Sequence, residues 1–248
     1  MKEWRVATAL ELPDYLVDRV LAPAPGDCGV LHLSTPVVAF GNARVARVAT
    51  LGLNPSGVEF LDKVGHELVD PHRRLATRNS LGRLADDRFS VDDARRIVTA
   101  CDSYFTHNPY RRWFNHLERI LNEVGASYWP GMTPACHLDV SQWSTDPVWG
   151  KLRSDQRRHL VMDGLSFLQA QLQRHSIELL LVNGSGAMAP IRSDLQGIDT
   201  QNFDRGTLTV GVLGDVRVVG WSTNLQSSRA VTNDFRGRLA NRVKSARR

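Results

Sequence analysis

A three-layer α/β/α fold around a central, mainly parallel sheet is what this 248-residue sequence predicts. Two observations predict it. Near-continuous apolar runs recur along the chain, each closed by small polar residues, and stretches of helical spacing fill the gaps between them. Apolar runs without alternation suit strands covered on both faces, and strands alternating with helices build a sheet clothed on both sides.

The first run is 45–53 (VARVATLGL), closed by Asn54-Pro55-Ser56-Gly57. Trp113, Leu117, Ile120, Leu121 and Val124 then repeat at helical spacing, and Gly125 is a natural stop. The second run is 135–140, closed by Ser141-Gln142-Trp143-Ser144-Thr145. Leu160, Leu165, Phe167, Leu168 and Leu172 form another helical stripe before the third run, 177–182 (IELLLV), which ends in Asn183-Gly184-Ser185-Gly186. A fourth run, 216–220, leads into a polar segment, and 229–243 reads as a terminal helix with Val231, Phe235, Leu239 and Val243 among its apolar positions. No repeat, linker or low-complexity tract interrupts the pattern, so one domain over 1–248 is expected.

Composition narrows the class. Hydrophobic residues at 42% and charged residues at 23% describe a globular chain with a sizeable core, which argues against disorder. A formal charge of +5 favours a polyanionic partner without identifying one. Cys28, Cys101 and Cys136 lie far apart and form no CxxC pair, which argues against a cysteine zinc site or a four-thiolate cluster. The start, Met1-Lys2-Glu3-Trp4-Arg5, lacks the apolar stretch of an export signal, and no run approaches the length of a membrane span. The expectation is a cytoplasmic monomer without a membrane partner.

In sheets of this kind ligands bind at the carboxyl ends of the strands. Asn54, 139–143, Asn183 and Asn224 all fall there and are expected to converge. Gly52-Leu53-Asn54-Pro55-Ser56 sets an amide on a turn stiffened by proline, with small residues that let a substrate approach. An ordinary Asn-capped loop is the plainer reading of the same residues. Amides suit the task of holding a water or a base edge without adding a competing charge.

These segments resemble motifs of the uracil-DNA glycosylase superfamily. Its early strand-end motif is of the GxNPG type, matched here except for Ser56. Its late motif, NPSGLSR in the mismatch-type branch, is answered by Asn224-Leu225-Gln226-Ser227-Ser228-Arg229. The segment LLLVNGSGA (179–187) is similar to the family's apolar strand ending in glycine. The resemblance covers roughly 45–231 and implies a DNA glycosylase acting on single- or double-stranded DNA.

The resemblance also implies roles. Asn54 would hold the attacking water, with Gly52, Leu53, Pro55 and Ser56 shaping the base pocket, and Asn224 would sit against the departing base. Gln226, Ser227, Ser228 and Arg229 would form the loop pressing on the DNA. Phe60 is the nearest candidate to stack on the flipped base, with core filler as the equal alternative. Arg111 and Arg112, beside Arg73 and Arg74, are candidates for phosphate contact. Trp113 and Phe114 read rather as helix packing, and Trp143 and Trp149 as hinge and cover of the site. The histidines form no compact metal motif, and the chemistry needs neither metal nor organic cofactor. No lysine nucleophile is required either, so monofunctional hydrolysis leaving an abasic site is expected.

One departure bears on substrate. Where the family places an Asn that reads uracil, this chain has His137-Leu138-Asp139. An ionised carboxylate only accepts hydrogen bonds, which suits a base with an amino donor, such as cytosine or a modified cytosine. Alternatively Asp139 ties down a neighbouring loop through Arg111 or Arg112. Superfamily members that remove modified cytosines from phage DNA imply a role in phage defence, with base-excision repair as the other setting. A non-catalytic nucleic-acid-binding module on the same fold is the alternative function. A Ser-His-Asp hydrolase ranks last, because Gly184-Ser185-Gly186 lacks the GxSxG spacing.

Overall fold

The computed structural model describes residues 12–204, 206–226 and 231–247. At the centre of its sheet, β1 (Val48–Gly52) runs parallel to β3 (Thr133–Asp139) on one side and β4 (Leu179–Asn183) on the other. A short β2 (Ala126–Ser127) extends the sheet beyond β3, and β7 (Val216–Trp221) extends it beyond β4, both parallel to their neighbours. An antiparallel pair, β5 (Gln196–Phe203) and β6 (Gly206–Leu213), completes the order β2-β3-β1-β4-β7-β6-β5. The architecture is the mainly parallel, helix-flanked sheet that the apolar runs predict.

Because side chains alternate across a strand, each buried run serves two cores. Val48, Leu179, Leu181, Val219 and Trp221 face one side. There they meet α1 (Asp14–Leu21), α2 (Val91–Asp102), α3 (Arg111–Glu123) and α6 (Asn233–Ala246). Ala49, Leu51, Leu138, Leu180, Val182 and Val218 face the other side, against Leu168 and Leu172 of α4 (Ser154–Arg174) and the short α5 (Ser185–Met188). Gly164 lets α4 press onto the end of β3, since a Cβ there would lie 2.0 Å from the Val140 carbonyl oxygen.

Local signals set the helix ends. At α2, the Ser90 hydroxyl accepts from the Asp93 N–H at 3.2 Å while the Asp93 carboxylate accepts from the Ser90 N–H at 2.7 Å. Such a reciprocal cap is worth about 1 kcal/mol. α3 stops before Gly125, whose φ of +79° suits glycine. α6 starts at Asn233 rather than 229, because Thr232 supplies the cap by accepting from the Phe235 N–H at 3.1 Å. Residues 227–230 lie outside the described residues. Among the described residues, no helix is long and apolar enough to cross a membrane.

Candidate active site

The sheet face beneath α3 changes character along the strands. Its β1 positions are Val48, Thr50 and Gly52, and its β3 positions are Ala135, His137 and Asp139, paired in that order. Apolar side chains at the amino ends thus give way to polar ones at the carboxyl ends, where a parallel sheet binds its ligands.

Those polar groups form a buried chain. The Tyr128 hydroxyl lies 2.5 Å from Thr50 Oγ1, which lies 2.6 Å from His137 Nδ1. On the far side of the ring, His137 Nε2 faces Asp139 Oδ1 at 3.4 Å. Gly52 makes this possible: a Cβ there would stand 2.5 Å from Asp139 Oδ1 and 3.0 Å from His137 Nε2.

A small cavity, of about 30 Å³, opens over the pair. Phe40, Trp113 and Phe114 surround His137, with ring centroids 5.6, 4.8 and 5.5 Å from the imidazole. All three also line the cavity, together with Asn54, Pro55, Ser56, Glu59, His137 and Asp139. Trp113 and Phe114 therefore serve the site as well as the packing of α3, which revises the reading of them as packing alone.

Asn54 is held by its amide nitrogen, which donates to the carbonyls of Pro55 (3.1 Å) and Trp143 (3.3 Å) and to Thr145 Oγ1 (3.4 Å). Three acceptors around one end orient the amide and leave Oδ1 as the unengaged acceptor among the described residues. Glu59 enters the cavity from the single-turn helix Gly57–Glu59, where Ser56 Oγ faces the Val58 N–H at 3.5 Å. Burial pushes its carboxyl up to about 7; the Tyr104 hydroxyl, donating to Oε2 at 2.6 Å, opposes the shift, as does Arg74, and Asp139 adds to it. A fully buried carboxyl at this position holds a substantial protonated fraction near neutrality.

The expected site residues divide. Asn54, Pro55, Ser56 and Asp139 line the cavity, and Gly52 lies directly beneath it. Leu53 packs towards α5 instead, where a Cβ at Gly186 would meet its side chain at 2.9 Å. Phe60 is 0% exposed within the core and does not line the cavity, whose aromatic lining is Phe40, Trp113 and Phe114. Among the described residues, the group facing the Asp139 carboxylate is the His137 ring rather than Arg111 or Arg112. Both arginines are exposed at the start of α3, with the Arg111 guanidinium 4.1 Å over the Trp129 ring. Trp143 is neither hinge nor cover: it is buried in a small cluster with Cys28, Leu152 and Leu160, and Trp149 packs against that cluster.

The β7–α6 loop is organised from within. Asn183 Oδ1 accepts from the Trp221 indole N–H (3.0 Å) and the Leu225 N–H (3.1 Å), while its Nδ2 donates to Gln226 Oε1 (2.6 Å). Gln226 Nε2 donates to the Trp113 carbonyl at 3.2 Å, so both ends of that amide are engaged inside the protein rather than offered to DNA. Asn224 Oδ1 accepts from the Gln226 N–H at 2.9 Å, a local turn, and Asn224 is not among the residues lining the cavity. The four strand-end segments thus form two neighbouring groups rather than one. Ser227, Ser228 and Arg229 lie outside the described residues.

Glu59 and His137 are functional candidates that the motif reading passes over. Comparison with models of known protein families finds no match, and comparison with curated proteins finds none either.

Proposed function

We propose that this chain is a monofunctional DNA glycosylase that flips a modified cytosine, with uracil as the second candidate base. Phage defence or base-excision repair would be its setting. One observation carries the reading: Asn54, Glu59 and Asp139 meet in a cavity walled by three aromatic rings at the carboxyl ends of β1 and β3. Aromatic walls suit a planar base, and a carboxylate beside a protonated carboxyl suits an edge with one donor and one ring acceptor.

The target base must first leave the stack, since its glycosidic bond is unreachable inside a duplex. Asp139 then accepts from the exocyclic amine, and protonated Glu59 donates towards the ring nitrogen. As the bond from C1′ to the base breaks, its electron pair goes to the base, which takes the Glu59 proton. A water held by Asn54 Oδ1 adds its oxygen to C1′ of the oxocarbenium ion and releases a proton to solvent, from which Glu59 is recharged. Groups fixed in advance spare the reorganisation that bulk water would demand. His137 and Thr50 are positioning residues, acting through Asp139.

The test uses single- and double-stranded DNA bearing uracil, hypoxanthine, xanthine, 5-hydroxymethylcytosine or its glucosylated form, scored for alkali-labile breaks. Breaks at one base that vanish in Asn54→Ala are expected. Intact DNA throughout, with binding indifferent to Asn54→Ala, would instead support a non-catalytic binding module.

A further inference from the structure

A wider cleft, about 460 Å³, lies between the segment carrying Arg73 and Arg74 and the α2 residues Arg95 and Arg96. Four arginines line it against one carboxylate, Asp70, and its floor is apolar: Leu75, Ala76, Leu81 and Ala100. Arg73 pairs with Asp70 (2.9 Å) and Arg95 with Asp92 (2.5 Å), but these are short-range bridges with largely exposed carboxylates, which neutralise little. Arg74 and Arg96 form no ion pair among the described residues. Arg74 Nη1 donates to the Val58 carbonyl at 2.5 Å and its Nε is buried without a partner. Arg96 Nη2 donates to the Ser80 carbonyl at 2.8 Å.

The cleft has no lining residue in common with the candidate active site but is linked to it by a chain of contacts. Arg74 holds Val58, the neighbour of Glu59, and its guanidinium lies 5.4 Å over the Tyr110 ring. The Tyr110 N–H in turn donates to the hydroxyl of Tyr104, the residue bonded to Glu59. An anionic chain with its base in the cavity therefore has the Arg74 guanidinium close by and the cleft's other arginines beyond it, above an apolar floor that accepts sugar or base. A phosphodiester strand has that alternation of charge and flat apolar surface.

We propose that this cleft carries the phosphodiester backbone of the DNA strand flanking the flipped base, an assignment that rests on the glycosylase reading for that base. The full chain is titrated into a fluorescein-labelled single strand of ordinary bases, and anisotropy is followed across a salt series. Arg96→Glu, and Arg95→Glu with it, should weaken binding by about tenfold or more and flatten the salt dependence, by roughly 0.7 in the log–log slope for each phosphate no longer engaged. Both side chains are exposed on α2, and a thermal melt checks that the fold persists. Arg192→Glu, exposed beyond the other core, should bind as the parent does. Unchanged affinity and slope in Arg96→Glu would overturn the proposal. Displacement of the strand by inorganic phosphate or dCMP at matched ionic strength would also overturn it, in favour of a small-anion site. Because ordinary DNA needs no excision, the two readings separate: Arg96-dependent binding without base release removes the glycosylase and keeps the groove as a nucleic-acid surface. Base release with Arg96-independent binding does the reverse.

Discussion

Thr50 and His137 face each other across β1 and β3, with the threonine hydroxyl 2.6 Å from imidazole Nδ1. Burial raises the neighbouring Tyr128 hydroxyl well above its ordinary value, and either hydroxyl of the Tyr128–Thr50 pair can donate. With Tyr128 as donor, Thr50 has its own hydrogen for Nδ1 and the ring proton sits on Nε2, facing Asp139. A backbone register thus sets the orientation of a carboxylate two steps away. The same logic orients metal-bound histidines through outer partners.

Thr50→Val keeps the shape and removes the hydroxyl, leaving Tyr128 and His137 each with a buried, unmatched polar atom. A loss of about 1–3 kcal/mol in urea unfolding is expected, with Thr50→Ser recovering most of it. Base excision should fall in the valine variant and return in the serine variant. Equal stability and equal excision in all three proteins would dissolve the relay.

Gly52 is required by space rather than by backbone conformation. Alanine there puts a methyl 2.5 Å from Asp139 Oδ1, and the carboxylate must turn away from both His137 and the cavity. Overpacking of this kind costs about 1–3 kcal/mol. Gly52→Ala should therefore lose single-turnover excision far more than it loses DNA affinity. Parallel losses in the two would mean a general collapse of the fold.

Glu59 predicts a pH window. Its carboxyl sits at about 7 in the folded protein against an ordinary value of 4.5, chiefly through burial. The folded state therefore holds more protons between these values, and stability falls as pH rises through the window, levelling off above about 7. Complete linkage would amount to ~3 kcal/mol. Glu59→Gln still accepts from Tyr104 and should flatten that slope, gaining stability relative to the parent at pH 8. If Glu59 supplies the proton to the base, excision in the parent should also decline above pH 7, and that decline should vanish with the glutamine. A parent whose stability is flat from pH 4.5 to 7 would remove the basis for the assignment.

The sheet was legible because its central strands are buried on both faces, and a short apolar run such as 177–182 closed by glycine suits such a strand. The β5–β6 hairpin was not, since β5 is polar and largely exposed and carries no periodic signal. α2 was not read from the sequence; its signal was the Ser90 and Asp93 cap before a short apolar stripe. At the site, Asn54 was marked by closing an apolar run, and Asp139, inside the run 135–140, by standing where the resemblance places an Asn. His137 did not, because its importance comes from pairing with Thr50, a register the chain does not spell out. Glu59 and Phe60 are adjacent, and the tight turn after Ser56 decides which of them reaches the cavity and which the core.

Asp139 should decide which base is taken. Its Oδ1 already faces His137 Nε2, so Asp139→Asn would keep its oxygen towards that ring proton and turn its new N–H₂ into the cavity. An acceptor would become a donor at nearly constant volume. A cytosine-type edge, whose exocyclic amine needs an acceptor, would lose its partner, while a uracil carbonyl would gain one. Discrimination between matched and mismatched base edges is worth about 1–3 kcal/mol, so the ratio of kcat/KM for the two bases should shift roughly 10- to 100-fold towards uracil. Competition between differently labelled cytosine-type and uracil substrates in one tube measures that ratio directly. An unchanged ratio, with both rates reduced alike, would make Asp139 a support for His137 rather than the reader of the base.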